Sequence, residues 1–481
     1  MTSLSRIMKG CDGMADKEQK NTNQIDMCTG SILKKMLLFA IPLMFSSILQ
    51  LLFNAADIVV VGKFAGDNSL AAVGSTSSLI NLLTNLFVGM SIGANVLVAR
   101  YFGAKQTKDL KETVHTAIML SIISGLILTV IGVFGAGAIL KLMKSPANVL
   151  PLATRYIKIY FLGMTSTMVY NFGSAILRAV GDTKRPLYYL LLAGVVNVVL
   201  NLIFVIVFNM GVAGVALATA ISQTISAILV VRCLMKETSD IRLDLRMLKI
   251  SYNKFFKILQ IGLPAGFQGI LFSLSNVVIQ SSINSFGETV VAGNSAAGNI
   301  EGFVYMAMNA MYQSAISFVG QNVGAGKYER INRIVITAEL LVIAIGVGFG
   351  GAVVLAGEPL LRIYTDSSEV VAIGIRRLNI IVLTYALCGM MDVMVGVLRG
   401  LGYSFVPMIV SLIGACAFRL VWIATIFKID RFHTIETIYL SYPISWTLTF
   451  IAHLISFLII RRKLKRKWSG YGEESRVVGR V

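Results

Sequence analysis

The chain has 481 residues, of which 56% are hydrophobic and 14% charged, with a mean hydropathy of +0.76. Soluble domains carry roughly 25% charge, so this composition excludes an ordinary water-soluble fold and points to a chain solvated mainly by lipid. The net charge of +19 gathers in alternate connections between apolar runs, which argues against nucleic-acid binding.

The opening MTSLSRIMKGCDGMADKEQKN lacks the apolar centre of a secretory signal. It reads as a disordered cytoplasmic tail, taken as residues 1–30, with Met14 as an alternative start. Twelve apolar spans follow, at 36–61, 70–99, 114–140, 151–177, 187–208, 211–234, 258–285, 290–319, 334–357, 373–398, 407–427 and 437–460. About 20 apolar residues cross a bilayer. Backbone groups in lipid must bond internally, so spans of this length are helices rather than the short alternating strands of a barrel.

Basic residues cluster in every second connection: Arg100, Lys105, Lys108 and Lys111; Arg178, Lys184 and Arg185; Arg232 through Lys257; Lys327, Arg330 and Arg333; and the tail RRKLKRK at 461–467. The intervening connections hold fewer, with Lys141, Lys144, Arg155 and Lys158 diluting the contrast. This is the positive-inside pattern. It places the protein in the cell membrane with both termini cytoplasmic, which requires an even number of spans. The basic tail, 462–481, is expected to rest on anionic headgroups of the lipid bilayer. Cys11, Cys28, Cys233, Cys388 and Cys416 are scattered, as are His115, His433 and His453. Neither set suggests a disulfide framework or a metal cluster.

The sequence repeats. A shift of 222 residues lays LPAGFQGILFSLSN on IPLMFSSILQLLFN, pairing Pro42 with Pro264 and Asn54 with Asn276. A shift of 221 pairs Gly103-Ala104 with Gly324-Ala325 and Thr116-Ala117 with Thr337-Ala338. It also pairs LRAVGDTKRP with LRGLGYSFVP. Each copy holds six spans, so both copies share one orientation and are related by an axis along the membrane normal. The expected fold is an all-α membrane protein: an N-lobe at 31–235, a charged cytoplasmic linker at 236–257 and a C-lobe at 258–461, two six-helix bundles with a cleft between them.

Positions that match across the copies read as scaffold. Gly103 and Gly324 suit tight turns, Pro42 and Pro264 first turns or kinks, and Asn54 and Asn276 interhelical hydrogen bonds. Positions that differ point to function. Asp57, in LFNAADIVVVGKF at 52–64, aligns with Ile279. Asn197 and Asn201, four apart and so on one helix face, align with Phe418 and Trp422, while Asp392 aligns with Asn171. Gln50, Asn54 and Asp57 form one stripe. A carboxylate at membrane depth costs about 3 kcal/mol or more and usually faces a cavity, so Asp57 reads as a cation or proton site. The alternative is an acid near a helix end reaching interfacial water. Glu301 reads either as a second coupling or substrate site or as an internally bonded structural acid. Tyr305, Met308 and Asn309 follow it along the same face. YMAMNAMYQ at 305–313 reads as adaptable substrate lining or as packing. Asp392 reads as a cavity acid or as one bonded to Arg399 or the loop, and Asp182 as a loop acid near Lys184 and Arg185. There is no GxxxxGK[ST] or HExxH, so neither ATP use nor an enzyme is expected.

Twelve spans in two repeats, LFNAADIVVVGKF in the first helix, GAKQTKDL after the second, and the paired LRAVGDTKRP and LRGLGYSFVP together resemble the multidrug and toxic compound extrusion (MATE) family, over about residues 31–462. The resemblance implies export of amphipathic, mostly cationic small organic compounds in exchange for Na⁺ or H⁺. Asp57 matches the family's first-helix acid, which takes part in coupling-ion binding and could hold Na⁺. NVVLN matches the fifth-helix N-x-x-L-D, with Asn197 in place and Asn201 replacing the aspartate, and Thr219 matches a further polar group of that site. The acid that some members carry early in the seventh helix is absent from GLPAGFQGILFSLSN, leaving Glu301 and Asp392 as the C-lobe candidates. The expectation is a monomeric, cation-coupled antiporter with no cofactor. Its rivals are a lipid-linked saccharide flippase, which would need cations in the cleft where Arg419 is the main one inside the spans, and a passive channel, which would need no coupling acid.

Overall fold

The protein, seen in a computed structural model, is described over residues 24–143 and 146–478, without the side chains of 67 and 466–478. Met14, Cys11 and most of the expected N-terminal tail lie outside the described residues, as do Lys144 and the last three residues of the basic tail. Among the described residues there is no strand. Twelve helical passes follow one another. The first six are α1 (Ile32–Phe64), α2 (Asp67–Gly103), α3 (Thr107–Leu142), α4 in two pieces (Leu150–Leu162 and Met164–Ala179), α5 (Lys184–Leu202, continued by a π-helical turn, Ile203–Val207) and α6 (Val212–Lys236). The second six are α7 (Tyr252–Asn284), α8 (Glu288–Gly324), α9 (Tyr328–Leu355), α10 (Ser368–Ile381 and Tyr385–Gly400), α11 (Phe405–Ser411, a π-helical turn Leu412–Ala417, and Phe418–Ala424) and α12 (Ile435–Val478).

Ten of these are long and apolar enough to cross a membrane. The other two are α4, divided at Gly163, and α8, which carries Asn294, Glu301, Asn309 and Gln313 along its length. The break in α4 lets Gly163 approach α6, where a Cβ would lie 2.8 Å from the Cα of Ala220. A carbonyl freed by such a break must find a donor in lipid, and Thr129 Oγ1 donates to Phe161 O at 2.8 Å. Large apolar side chains such as Phe134 and Leu355, 81% and 90% exposed, face outward, as lipid contact requires. Seven of the observed helices overrun the expected spans at both ends, because only their middle portions need be apolar, whereas α5, α6, α7, α9 and α11 stop one to three residues short at one end.

The repeat is visible in the backbone. Gly181 and Gly402, paired at a shift of 221, both have positive φ, 96° and 90°, which favours glycine and explains why both loop motifs keep it. Pro42 and Pro264 lie inside α1 and α7 rather than in first turns, and Ser46 Oγ bonds the Pro42 carbonyl at 2.9 Å. Gly103 and Gly324 serve close approach rather than turns. A Cβ on Gly103 would lie 2.1 Å from Gln321 O, and one on Gly324 would lie 1.9 Å from Arg100 O. Since 100 and 321 are themselves a repeat pair, the two contacts are images of each other across the pseudo-twofold axis.

Around this axis the lobes meet through small residues. Gly89 abuts Gly266, Gly93 abuts Ile258, and Gly262 abuts Met90. Residues 24–30 of the expected tail are tied across the seam. Ile25 N bonds Gly181 O at 3.2 Å, Asn322 Nδ2 bonds Met27 O at 3.0 Å, and Lys327 Nζ bonds Cys28 O at 3.0 Å. The linker is also anchored, with Asp244 N bonded to His115 Nε2 at 3.1 Å and Lys254 paired with Asp109. Toward the opposite end, Gly298 has no atom within 4 Å of its notional Cβ and Gly302 only Leu51 Cδ1 at 3.9 Å. The tight contacts between the lobes therefore lie at the end where residues 24–30 and the linker are anchored, and contacts at Gly298 and Gly302 of α8 are looser.

Gly324→Val is expected to wedge the tightly packed end, because overpacking a tight contact costs about 1–3 kcal/mol. In a chain with its five native cysteines replaced, labelling of Ala99→Cys by an impermeant maleimide added on that side should rise several-fold. Ala99 is fully buried and its Cβ meets the notional Cβ of Gly320 at 3.0 Å. Unchanged labelling would show that these glycines do not hold the seal.

Candidate functional site

The apolar α1 carries one acid deep enough to need partners, and α5 and α6 supply them. Asp57 Oδ1 accepts a hydrogen bond from Asn201 Nδ2. Thr219 Oγ1 lies 3.3 Å from Asp57 Oδ2 and 3.0 Å from Val215 O, so its one proton is divided between two acceptors. Asn197 Nδ2 donates to Thr219 Oγ1 at 3.3 Å, and Asn201 Nδ2 also donates to Asn197 Oδ1 at 3.3 Å. The spacing of 197 and 201 makes this possible, since residues four apart stack on one face. Asn197 and Asn201 are 4% and 0% exposed. Both protons of the Asn201 amide are thus committed, while its Oδ1 is buried with no donor at all.

A buried carbonyl oxygen without a donor is costly, and it stands beside a carboxylate. Together with the Thr219 hydroxyl and the Asn197 carbonyl, these oxygens form the donor set that hard cations prefer. The residues present therefore fit a Na⁺ ion, and the carboxylate alone fits a proton. Among the described residues no group of three or more His, Cys, Asp or Glu comes together to hold a metal ion.

Gln50 and Asn54 lie on the same stripe as Asp57, but neither joins the network. Both are exposed. Leu51 reaches toward Gly302 of α8, and Phe53 packs on Gly194 of α5. At 100° per residue, Gln50 and Asn54 fall in the arc between these contacts on the side of Asp57, whereas apolar Leu52 and Val59 occupy the other arc. The polar residues of this part of α1 thus share one arc with Asp57.

The C-lobe candidates separate. Glu301 Oε1 and Oε2 each accept from Arg377, at 2.7 Å from Nε and 2.7 Å from Nη2, and the third branch of the guanidinium bonds Asn294 Oδ1. This is the internally bonded acid rather than an open ligand. Met308 does not line a cavity. It is 2% exposed and packs with Val342 against Gly389 in the core between α8, α9 and α10. Tyr305 is half-buried and lies near Asp392. Asp392 forms no salt bridge with Arg399, which instead donates to the Tyr312 hydroxyl and to Gln268 Oε1 at 2.8 Å. Asp182 is fully buried, accepting from the backbone of Lys184 and Arg185 at 3.2 and 3.1 Å, and Arg185 bridges it to Glu237.

Three features escape the sequence reading. Arg377 lies inside the span 373–398, so Arg419 is not the main buried cation there. The signal was available, because Arg377 aligns with apolar-facing Tyr156 at a shift of 221. Tyr156 and Tyr160 themselves, stacked with ring centroids 5.8 Å apart, lie within electrostatic range of Asp57. Finally, the π-helical turn Leu412–Ala417 inserts a residue into α11 ahead of Phe418, which restores the shift of 222. The images of Asn197 and Asn201 are thus Arg419 and Ile423, not Phe418 and Trp422. The burial agrees: Arg419 and Ile423 are 4% and 9% exposed.

The MatE family profile matches residues 42–203 and 264–424, one match in each lobe. The probable multidrug resistance protein YpnP of Bacillus subtilis (strain 168) is 28% identical over 394 residues, which is 82% of this chain and 88% of that relative. The probable multidrug resistance protein NorM of Thermotoga maritima is 26% identical over 396 residues, 81% of this chain and 84% of that relative. A solved structure described as the outward-facing conformation of a multidrug resistance MATE family transporter of the MOP superfamily superposes with a TM-score of 0.87 at 22% identity, covering 93% of this chain and 100% of that one. That likeness bears on the fold, and it agrees with the two six-helix bundles. With both lobes matched, the chain belongs to the MatE family, the multidrug and toxic compound extrusion transporters.

Proposed function

We propose that this protein is a cation-coupled multidrug efflux antiporter of the cell membrane, working as a monomer with both termini in the cytoplasm. It exports amphipathic, mostly cationic organic compounds by alternating access and uses no ATP. The coupling ion, Na⁺ or H⁺, binds at Asp57, Asn197, Asn201 and Thr219. The observation that carries this reading is the buried, donor-less Asn201 Oδ1 beside the Asp57 carboxylate, an arrangement completed by a cation. The interface between the two lobes supplies the route, and the relatives named as multidrug resistance proteins support the substrate class.

The cycle follows from charge. With the ion bound, the N-lobe pocket is neutral and a cationic compound in the cleft gains little from it. With the ion released, Asp57 presents a negative charge in a low-dielectric wall and attracts the organic cation. Exchange of one positive charge for another then biases which way the cleft faces, as differential affinity for two states requires. Gln50 and Asn54, exposed in the arc beside Asp57, offer polar contacts to that compound.

Efflux of a cationic dye from reconstituted vesicles, under a Na⁺ gradient or a H⁺ gradient imposed separately, tests the proposal. Acceleration by one gradient is expected and identifies the ion. Transport indifferent to both would mark a passive channel and overturn it.

A further inference from the structure

Among the described residues the interior of the C-lobe holds three guanidinium groups, those of Arg377, Arg399 and Arg419. Arg377 is bonded to Glu301, and Arg399 donates to the Tyr312 hydroxyl and Gln268 Oε1 without an ion pair. Arg419 likewise has no carboxylate within 4.0 Å. Another acid in these spans, Glu339, has no hydrogen-bond partner on either oxygen and so does not neutralise it. Arg419 Nε donates to Ser445 Oγ at 2.8 Å. Its Cζ lies over the Tyr442 ring, 4.2 Å from the centroid, with Trp446 at 5.5 Å. Rings over the face soften the charge, but the N–H bonds point along the edge. There Nη2 is buried without an acceptor.

Position adds a second argument. Across the pseudo-twofold axis Asp57 becomes Ile279, Asn201 becomes Ile423 and Asn197 becomes Arg419. The image of the cation pocket has lost its acid and gained a cation, and the residue that brings Arg419 into register is the extra one in a π-helical turn, a feature frequent at functional sites.

We infer that the C-lobe carries a binding site for one anionic group, a carboxylate or a halide, at the free edge of the Arg419 guanidinium between Tyr442 and Trp446. A guanidinium edge suits a carboxylate in bidentate fashion, and the two rings suit an aromatic body attached to it. Compounds bearing both charges would then engage the two lobes with opposite ends. The inference does not depend on the ion-coupling reading, since it concerns the other lobe.

Purified protein titrated calorimetrically with sodium benzoate at constant ionic strength, alone and with bromide as competitor, tests this. One benzoate per chain is expected, with Arg419→Gln weakening it by about tenfold or more, the loss of a charge-assisted pair, and Arg419→Lys recovering part. Displacement by bromide would identify a site that also takes halides, and binding insensitive to bromide but lost in Arg419→Gln would identify a carboxylate site. Asp57→Asn should bind benzoate as wild type does, so a failure of cation coupling stays distinguishable. Should Arg419→Gln not fold, the emission of Trp446 in a Trp422→Phe/Trp468→Phe background gives a local readout in the presence of the native arginine. Absence of benzoate and bromide binding to the wild type, or unchanged affinity in Arg419→Gln, overturns the inference.

Discussion

Asp57→Asn is expected to reduce gradient-driven dye efflux by about tenfold or more while leaving the protein folded. The substitution keeps the shape of the side chain and removes its charge. A hydrogen bond or ion contact to a charged group contributes about 1.5–3 kcal/mol, which corresponds to about 10- to 100-fold in affinity. Stability should hold or rise, because an ionised group no longer has to be buried. Thr219→Val makes a graded comparison. Its hydroxyl is 3.3 Å from Asp57 Oδ2 and divided with the Val215 carbonyl, so its loss removes a neutral ligand, worth about 1 kcal/mol or about fivefold. The expected order is wild type, then Thr219→Val, then Asp57→Asn, read as the gradient-dependent part of efflux in vesicles of matched protein content. If Asp57→Asn kept the full response, the N-lobe pocket would be packing and the coupling ion would have to bind elsewhere.

Much of this pocket was legible in the sequence because its signals are local or periodic. An acid in an apolar run stands out at any position, and Asn197 and Asn201 announce a shared face by their spacing. The repeat then shows which polar residues one lobe has and the other lacks. What stayed hidden depends on contacts between distant residues or on departures from helical regularity. Met308 in a run of Met and Tyr has the same periodicity whether it lines a cavity or packs on Gly389, and only the position of α10 decides. Glu301 has its partner 76 residues away, in a span where two adjacent arginines, Arg376 and Arg377, read as one polar helix end. In the fold Arg376 stays exposed and pairs with Glu436, while Arg377 turns inward. The π-helical turn in α11 moves the repeat by one residue, and no composition signal marks it. The ordering of residues 24–30 was equally illegible, since it rests on backbone carbonyls that meet Asn322 and Lys327 of the far lobe.

The Glu301–Arg377 pair yields the largest expected change in stability. Both side chains are nearly excluded from solvent, at 5% and 10% exposed. Every branch of the guanidinium has an acceptor, with Asn294 Oδ1 also receiving the Tyr439 hydroxyl at 3.3 Å. Removing one member leaves an uncompensated charge in the lobe, so Glu301→Leu or Arg377→Met should each destabilise the protein by about 3–5 kcal/mol. The double variant Glu301→Leu/Arg377→Met should recover most of that loss, because apolar groups of similar volume need no partner. Thermal unfolding of the four purified proteins measures the pattern, and strong non-additivity is its signature. Glu301→Gln separates a structural acid from a transport ligand. It retains two acceptor positions on one oxygen and should cost stability while leaving the ion dependence of efflux in the surviving folded fraction unchanged. A Glu301→Gln protein that unfolds like wild type but loses its gradient response would instead make Glu301 part of the transport cycle, with Arg377 as the group that releases it.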